Sequence, residues 1–585
     1  MSHSNALTGS DILARALAEE GVEVIFGIPG GVTLPLMKAF ETAKFRFILT
    51  RHEQAAAHMA EGYARATGRV GVCLATSGPG ATNLITGIAD AFMDSTPIVA
   101  ITGQVATEKI GNDAFQEVDT VGLTCTITKH NYLVREAATI PKIVKEAFYL
   151  ASTGRPGPVL IDLPVDISKQ SAPYHAAAQA SIRGYSPTLD GHPEQIRKAA
   201  ALIAKAERPV ILAGQGVLLS GAHEELRELV DKTGLPIGTT LLGLGAIPED
   251  HPAALKMVGM HGMTYANYAI HYADLVVGIG ARFDDRVASR PGDFAPQARI
   301  VHIDIDPTSI GKSVRVDVPI VGDVRRVLRE LNKIVRAPSI DAWRNRIAEW
   351  KRQFPLPTGE ATAKDRRDFR DRLAPRQPWY RDGVPVREIK PQAVIRAIDA
   401  LADPHRIITV DVGQHQMWSA QHLTHRKPRS FIASGGLGTM GFGFPAALGA
   451  KVGCPDRTVI NITGDGSFQM NCHELAVAVM EKIPVKVIIL NNGCLGMVRQ
   501  WQETIIPGAR YMGVILEGSP DFVKLAEAYG ALGLRAARNE EVRPVLERAL
   551  AHPGPVLVDM QVTIEENCYP MVPVGKNLDE ALQHD

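Results

Sequence analysis

Short apolar runs alternate with amphipathic segments along most of the chain, a pattern typical of strands and helices in a parallel α/β sheet. In residues 8–170, strands are predicted near 24–27, 70–75, 98–102 and 159–162. A second block has predicted strands near 210–213, 275–278 and 300–305, and a third near 407–410, 458–462, 485–490 and 556–560. The pattern therefore predicts an α/β protein with three sheets.

Two segments without an apolar period separate these blocks. Residues 172–188 are small and polar, and residues 354–390 are rich in proline and charge, so both are predicted to be linkers. We predict the following division: domains at 1–171, 190–340 and 390–562, a linker at 341–389 and a C-terminal tail at 563–585.

Composition and charge narrow the class of protein. Hydrophobic residues make up 45% of the 585 residues and charged residues 22%, which is ordinary for a soluble globular protein. Lys+Arg and Asp+Glu both number 63, so the basic excess of a nucleic-acid binder is absent. The six cysteines form no CxxC pair, which favours a reducing compartment.

Targeting and membrane segments are not predicted. The N-terminal residues lack signal-peptide architecture, and the long uncharged stretches 70–89 and 430–450 are broken by glycine and proline. We read these stretches as strand–loop–helix units and expect a cytoplasmic, prokaryotic protein.

One β–α–β unit carries the first candidate chemistry. The strand near 458–462 leads into Gly464, Asp465 and Gly466, and the strand near 485–490 leads into Asn492. Each end alone would be an ordinary turn, but together they meet at the carboxyl edge of a sheet, where ligands bind. Asp465 and Asn492 offer the oxygen ligands that Mg²⁺ prefers, and the glycines and the following helix start suit a diphosphate. The unit predicts a magnesium–diphosphate anchor.

The anchor and several longer blocks resemble the thiamine-diphosphate enzyme family, and within it the acetohydroxyacid synthase catalytic subunits. The blocks are GDGSFQMNCHEL, NNGCLGMVRQWQE, SGGLGTMGFGFPAALGAK, GARFDDRV, GMHG and RHEQAAAHMAEGYARATG. The resemblance covers roughly residues 8–580. It implies three doubly wound parallel-sheet domains: pyrimidine-binding, central FAD-binding and diphosphate-binding. It also implies thiamine diphosphate, Mg²⁺ and a structural FAD as cofactors.

The resemblance further implies partners and a reaction. Partners are a second copy of the chain, as a homodimer or dimer of dimers with active sites at the interface, and a small regulatory subunit. The reaction joins pyruvate, with loss of carbon dioxide, to a second 2-ketoacid, pyruvate or 2-ketobutyrate. This is the first common step towards the branched-chain amino acids.

Glu53 is predicted to begin a helix on whose face Ala56, Ala60 and Ala64 recur. A first-turn glutamate can simply favour the helix dipole. The resemblance instead implies that Glu53 hydrogen-bonds N1′ of the aminopyrimidine, which promotes ylid formation, in an active site whose anchor belongs to the other subunit.

The remaining cofactor residues follow from the resemblance. Met440, otherwise a plausible core residue, would hold thiamine diphosphate bent. The other thiamine-diphosphate residues are Gly413, Gln414, His415, Gly438, Gly464, Gly466 and Ser467. The metal ligands are Asp465, Asn492 and the backbone carbonyl of Cys494. The FAD residues are Arg155, Gly214, Gly216, Thr240, Leu241, His261, Gly280, Arg282, Asp304, Ile305 and Asp323.

Substrate residues are also implied. Arg286 lies in a run that could be a charged surface loop, but its guanidinium suits bidentate capture of a carboxylate. Val498 and Trp501 with Met497 could be core residues, yet the resemblance makes them walls of the acceptor pocket. There, one methylene is worth about 1–3 kcal/mol. The resemblance completes that site with Gly31, Phe115 and Gln116.

Two positions depart from the family pattern: Val165, usually lysine, and Val32, usually alanine or serine. Four alternatives remain beside the main reading. They are a pyruvate oxidase, a glyoxylate carboligase, which would have an apolar residue in place of Glu53, an FAD-independent acetolactate synthase, which should lack RFDDRV, and a non-catalytic subunit. The intact Glu53, Asp465 and Asn492 argue against the last.

Overall fold

Three six-stranded parallel sheets organise the chain, as predicted. The computed structural model describes residues 6–356, 387–506, 511–516 and 518–583. In spatial order, the first sheet consists of Arg46–Leu49, Val24–Gly27, Gly71–Ala75, Ile98–Gln104, Val159–Pro164 and His130–Leu133. A two-stranded antiparallel pair, Ala6–Thr8 with Ser171–Pro173, closes this region.

The first sheet is covered by helices on both faces. They are Gly9–Glu19, Leu34–Ala43, Glu53–Thr67, Pro79–Asn83, Ile85–Met93, Thr120–Thr124, Ile140–Ser152 and Val165–Lys169. Short 3₁₀ turns lie at Gly31–Thr33, Thr107–Lys109 and Ala137–Thr139.

The central sheet has the spatial order Ala254–Met257, Ile237–Thr239, Pro209–Ala213, Leu275–Ile279, Arg299–Asp304 and Val318–Val321. Its helices are Pro193–Lys205, Gln215–Leu219, His223–Thr233, Thr264–His271, Asp285–Ala288, Val324–Ile334 and Asp341–Gln353, with 3₁₀ turns at Leu241–Gly243 and Pro291–Asp293.

The third sheet has the spatial order Phe431–Ala433, Ile407–Val410, Val459–Gly464, Lys486–Asn491, Val556–Gln561 and Leu532–Ala536. Its helices are Pro391–Leu401, Gln414–His422, Gly443–Gly453, Asp465–Met470, Leu475–Met480, Gly496–Ile505, Phe522–Tyr529 and Asn539–Ala551, with a 3₁₀ turn at Cys472–Glu474.

The first and third sheets share one topology. Numbered along the chain within each sheet, their strands have the spatial order 2-1-3-4-6-5, whereas the central sheet has 3-2-1-4-5-6. In such sheets ligands bind where the order reverses, outside the carboxyl ends of the strands. In the third sheet this point lies between Ile407–Val410 and Val459–Gly464, directly before Asp465.

The first and third domains meet through helix Glu53–Thr67, which packs on helix Gly443–Gly453. Their backbones approach closely because glycines lie at the crossing. A Cβ on Gly62 would lie 2.0 Å from the carbonyl oxygen of Ala446, and one on Gly449 would lie 1.8 Å from that of Met59. Any larger residue at Gly62 or Gly449 would push the two domains apart.

The uncharged stretches 70–89 and 430–450 are strand–loop–helix units, as predicted. Gly71–Ala75 leads into Pro79–Asn83, and Phe431–Ala433 leads towards Gly443–Gly453. No helix in the described part of the chain is long and apolar enough to cross a membrane.

The linker predicted at 341–389 is wrong over its first part. Residues Asp341–Gln353 form a helix whose Trp343, Ile347 and Trp350 are buried in the core of the central domain. Residues 357–386 of that prediction lie outside the described residues. The C-terminal segment also packs: Val572 and Leu578 are buried in the same core, and the Val572 amide donates to the Met260 carbonyl at 2.7 Å.

Candidate cofactor and substrate site

Asp465 lies at the base of a small cleft at the carboxyl edge of the third sheet. It begins helix Asp465–Met470 directly after strand Val459–Gly464, and it is 1% exposed. Neither of its carboxylate oxygens has a hydrogen-bond partner among the described residues. Burial raises the pKa of Asp465 to about 7. A buried carboxylate without partners is the arrangement that a bound cation would complete.

The two other predicted metal residues line the same cleft. Asn492 follows strand Lys486–Asn491, and its side-chain oxygen accepts from the Cys494 amide at 3.1 Å. Burial raises the pKa of the Cys494 thiol to about 12, so this thiol stays protonated and is a poor metal ligand. The donor set that remains is oxygen-only, which fits Mg²⁺.

Most of the predicted thiamine-diphosphate residues meet around this cleft. Its lining includes Gly413, Gln414, His415, Met440, Gly464, Gly466 and Ser467. The buried ring nitrogen Nε2 of His415 has no partner in the described part of the chain, and burial lowers the pKa of His415 to about 3. Gly438 instead lines the larger cavity next to it, and Met440 lines both. The side chain of Met440 therefore lies at the boundary between cleft and cavity.

The side-chain amide of Gln414 also has hydrogen-bond partners outside the cleft. Its side-chain amide nitrogen donates to Gln500 Oε1 and to the Glu566 carbonyl, both at 2.9 Å. The Gln414 amide thus joins the helix it begins to helix Gly496–Ile505 and to the C-terminal segment.

A cavity of about 790 Å³ opens from this cleft towards the central domain. The predicted FAD residues that line it are Arg155, Gly216, Thr240, Leu241, His261, Gly280, Arg282, Asp304, Ile305 and Asp323. Gly214 does not line it, because Gly214 packs against the central strand ends instead. A Cβ on Gly214 would lie 2.1 Å from the carbonyl oxygen of Gly280.

Arg286 and Trp501 face each other in the same cavity. The Arg286 guanidinium carbon lies 5.4 Å from the Trp501 ring centroid, within reach of a cation–π contact. Met497 and Val498 share helix Gly496–Ile505 with Trp501 and also line the cavity. The arrangement places one cation beside an apolar wall, which suits a small ligand with a carboxylate and an alkyl group.

Four predicted residues lie elsewhere. Gly31, Glu53, Phe115 and Gln116 belong to the first domain, and they line neither cavity of the described chain. Glu53 is 8% exposed and accepts from Asn83 Nδ2 at 2.9 Å.

Two of them, Glu53 and Gln116, lie beside the same loop of the first domain. A Cβ on Gly80 would lie 3.3 Å from Glu53 Oε1, and one on Gly78 would lie 2.9 Å from Gln116. Phe115 is 89% exposed, a large apolar side chain left uncovered by its own chain. The predicted site residues thus fall into two groups, one in the first domain and one around the third sheet, and these two sheets have the same topology.

The sequence patterns did not predict the residues that join helix Gly496–Ile505, one wall of the cavity, to the C-terminal segment. Gln500 Nε2 donates to the Cys568 carbonyl and Gln500 Oε1 accepts the Cys568 amide, at 3.2 and 2.8 Å. The fully buried Arg499 donates to the Glu566 carbonyl and to Asn567. Both are polar residues that are fully buried, and nothing in the sequence near them indicates their distant partners.

Sequence comparison agrees with the fold and these sites. Residues 7–123 match the N-terminal TPP binding domain of thiamine pyrophosphate enzymes, residues 196–331 their central domain and residues 411–560 their C-terminal TPP binding domain. The chain is therefore an enzyme of the class that uses thiamine pyrophosphate, also called thiamine diphosphate.

Full-length relatives narrow the class to one family. A probable acetolactate synthase large subunit of Methanocaldococcus jannaschii is 49% identical, over 99% of this chain and 95% of that protein. The acetolactate synthase isozyme 3 large subunit of Escherichia coli is 45% identical over 98% of both chains, and the large subunit of Corynebacterium glutamicum is 45% identical over 98% and 89%. The chain belongs to the acetolactate synthase large-subunit family.

Proposed function

We propose that the protein is an acetolactate synthase, which joins pyruvate, with loss of carbon dioxide, to the keto carbon of a second 2-ketoacid. The products would be 2-acetolactate from pyruvate and 2-aceto-2-hydroxybutyrate from 2-ketobutyrate, which serve branched-chain amino acid synthesis. The observation that carries this proposal is the pairing of Arg286 with Trp501 beside the thiamine-diphosphate cleft.

Bound thiamine diphosphate supplies a carbon nucleophile and an electron sink for decarboxylation. Asp465, Asn492 and the Cys494 carbonyl would hold Mg²⁺ against its diphosphate. Arg286 would bind the acceptor carboxylate, and Val498 with Trp501 would contact its alkyl group. Glu53 would hold a proton at N1′ of the aminopyrimidine.

FAD is proposed for the 790 Å³ cavity as a structural cofactor. The cavity's size and the ten predicted residues along it support this assignment. Its carboxylates, Asp304 and Asp323, can accept hydrogen bonds from hydroxyl or ring N–H groups.

The active site is proposed to form between two subunits, as a homodimer or a dimer of dimers. Glu53, Phe115 and Gln116 line neither the cleft with Asp465 nor the cavity with Arg286 in the described chain, which supports a site assembled from two chains. The exposed Phe115 supports a covering partner. Because the relatives are named large subunits, we also propose a small regulatory subunit.

One assay tests the reaction. The protein is incubated with thiamine diphosphate, Mg²⁺, FAD and pyruvate, with or without 2-ketobutyrate, and the acetohydroxyacid products are measured. We expect 2-acetolactate alone in the absence of 2-ketobutyrate and both products in its presence. Acetaldehyde as the main product, or oxygen-dependent formation of an acetyl product, would replace the proposal by a decarboxylase or an oxidase.

A further inference from the structure

The glycine-rich loop 434–441 of the third domain carries Gly438 and Met440, and two carboxylates of the first domain hold it. Asp90 Oδ1 accepts from Ser434 Oγ at 2.5 Å and from Thr439 Oγ1 at 3.0 Å. Both Asp90 and Ser434 are buried, so these bonds are shielded from water. Asp90 therefore fixes the loop at two points: at Ser434, where the loop starts, and at Thr439, directly before Met440.

Asp94 lies one helical turn after Asp90 and holds Gly435 and Gly436 of this loop through both of its carboxylate oxygens. Oδ2 accepts the Gly435 amide at 2.8 Å, and Oδ1 accepts the Gly436 amide at 2.6 Å. Arg65 donates to Asp94 Oδ2 at 3.3 Å and to the Ala433 carbonyl at 2.5 Å. Because Asp94 is 1% exposed and uses both oxygens, an amide in its place could not accept both N–H groups.

The far end of the loop is fixed by its own domain. Asp411 accepts the Gly441 amide at 2.7 Å and the Gly443 amide at 3.1 Å. Met440 thus lies between one carboxylate of the third domain and two of the first.

A second contact runs the other way, from a carboxylate of the third domain to the backbone of the first domain. Glu474 of the third domain accepts the backbone amides of Arg51 and His52 at 2.9 and 3.0 Å, both through Oε1. These two residues directly precede Glu53, the first residue of its helix. Glu474 is fully buried, and its Oε2 has no partner among the residues described. The backbone directly before Glu53 is therefore held by one oxygen atom of the third domain.

A buried cluster of three polar residues, His58, Glu61 and Asp90, lies between the two contacts. His58 Nδ1 lies 2.9 Å from Glu61 Oε1. One nitrogen of His58 and one carboxyl oxygen each of Glu61 and Asp90 lie within 4.8 Å of one another. Burial raises the pKa of Glu61 and of Asp90 well above their usual range. The helix that begins at Glu53 therefore packs closely against Asp90 at this buried cluster.

We propose that Asp90, Asp94 and Glu474 are positioning residues of the enzyme. Across the contact between first and third domains, they hold the loop that bears Met440 and the helix start that bears Glu53. The roles of Met440 and Glu53 rest on the proposed function. These carboxylates line neither the cleft nor the cavity of the described chain, so they would act by fixing the residues that do.

The test measures cofactor affinity and cofactor proton exchange separately in the full-length protein. The first readout is the dissociation constant of thiamine diphosphate with Mg²⁺. The second is the rate at which the C2 proton of the bound cofactor exchanges with deuterium, followed by NMR after acid quenching. Neither readout requires pyruvate, so both can be interpreted even if no acetolactate forms and the proposed function fails.

The geometry predicts different results for two conservative amide substitutions. Asp94→Asn loses one of two acceptors, so we expect slower C2 exchange by about tenfold or more and weaker cofactor binding. Glu474→Gln keeps an oxygen that can accept both amides, so exchange should stay within about threefold of wild type. Glu474→Met removes the acceptor and should slow exchange by about tenfold while changing cofactor affinity little.

The matched control is Glu481→Gln. Glu481 pairs with Arg46 at 3.2 Å across the same two domains, but on the exposed surface and next to no proposed site residue. We expect wild-type exchange from it. Equal slowing in Glu481→Gln and Asp94→Asn would overturn the proposal, because any weakening of the contact would then suffice. An unchanged exchange rate in Asp94→Asn would also overturn the proposal. If Glu474→Met does not fold, the result for Asp94→Asn alone decides whether the proposal stands.

Discussion

At the scale of single residues, Arg286 and Trp501 are proposed to determine which acceptor the enzyme recognises. The guanidinium can offer a carboxylate two parallel hydrogen bonds, and the indole beside it, 5.4 Å away, offers an apolar surface. Arg286 is exposed in the described chain, so it remains available to a ligand. In the proposed site, Arg286 would bind the carboxylate that all 2-ketoacids share, and Trp501 would contact the alkyl group that distinguishes them.

Replacing Trp501 should therefore change the choice of acceptor more than the reaction itself. With pyruvate and 2-ketobutyrate in competition, we expect Trp501→Leu to lower the proportion of 2-aceto-2-hydroxybutyrate by about tenfold or more, since one methylene contact is worth about 1–3 kcal/mol. Trp501→Phe, which keeps an aromatic ring, should lower it less. Product ratios measured by chromatography decide this, and an unchanged ratio in Trp501→Leu would remove Trp501 from the acceptor pocket.

A second residue-scale prediction concerns pH and stability. Burial raises the pKa of Asp162 to about 7, although Thr102 and Gln104 donate hydrogen bonds to it. The folded protein thus retains a proton that the unfolded chain releases at its ordinary pKa of 3.8. The stabilisation is complete below pH ~4 and is lost progressively as pH rises towards ~7, by at most about 1.4 kcal/mol per pH unit.

The measurement compares melting temperatures of wild type and Asp162→Asn across pH 5 to 8. Because asparagine does not titrate, the variant should gain stability relative to wild type as pH rises to about 7, and the difference should then stay constant. A difference that does not vary with pH would show that Asp162 is already ionised in the folded protein at pH 5.

At the scale of elements, helix Gly496–Ile505 forms one wall of the cavity and is fixed to the C-terminal segment. Its front carries Met497, Val498 and Trp501, which line the cavity. Its back is fixed to the C-terminal segment by the buried Gln500. The segment's contact with the central domain through Val572 extends this support. The C-terminal segment is therefore part of the site's framework.

Gln500→Leu should loosen that wall without touching a ligand. The change removes one of two acceptors from the Gln414 amide and the Gln500 partner from each Cys568 backbone group, at about 1–3 kcal/mol for each buried group left unsatisfied. We expect kcat/KM for 2-ketobutyrate to fall by about tenfold. The control is Gln502→Ala on the same helix, which should behave as wild type. Among the described residues the Gln502 side chain hydrogen-bonds only to the Met512 backbone, at the surface. Equal kinetics in both variants would contradict the role of the C-terminal segment.

Sequence patterns predict the central strands well because those strands are buried on both faces. Every residue of Ile407–Val410 is buried, and the predicted bounds of this strand agree with the structure to the residue. Edge strands such as Leu532–Ala536 escape prediction, since Gly533 and Arg535 interrupt their apolar run. Helix Asp341–Gln353 resembles a linker in sequence because its charged residues outnumber the three that reach the core.

Some residues of the candidate site can likewise be predicted from sequence, and others cannot. Asp465 and Asn492 can be predicted because each directly follows a strand, so local sequence implies their place at the sheet edge. The partners of Asp94 and Gln500 lie far away along the chain, at Gly435 and Cys568. No periodicity or spacing rule connects such residues. Only the packing of whole domains brings them together, which a single sequence does not encode locally.

At the scale of the whole molecule, the first and third sheets have the same strand order, and Gly31 and Asp465 lie at the corresponding reversal points. Within one chain these domains meet through helices Glu53–Thr67 and Gly443–Gly453. The repeated topology therefore agrees with the proposal that one chain carries two half-sites, each of which completes an active site with the other subunit.

Subunit mixing tests that arrangement directly. Glu53→Gln and Asp465→Ala should each be inactive as homodimers, because every site then lacks either the pyrimidine carboxylate or the metal ligand. If the sites form across the interface, a mixed dimer has one site with both substitutions and one with neither. Random exchange of equal amounts makes half of the dimers mixed, so about one quarter of wild-type activity should return.

If each site instead forms within one chain, every site in the mixture carries a substitution and no activity returns. The exchange itself is followed by mass spectrometry of differently tagged chains, so that lack of mixing is not mistaken for lack of complementation. A mixture of Glu53→Gln with a second Glu53→Gln preparation is the control and should stay inactive. Restored acetolactate formation only in the Glu53→Gln and Asp465→Ala mixture would therefore place Glu53 and the anchor of one active site on different subunits.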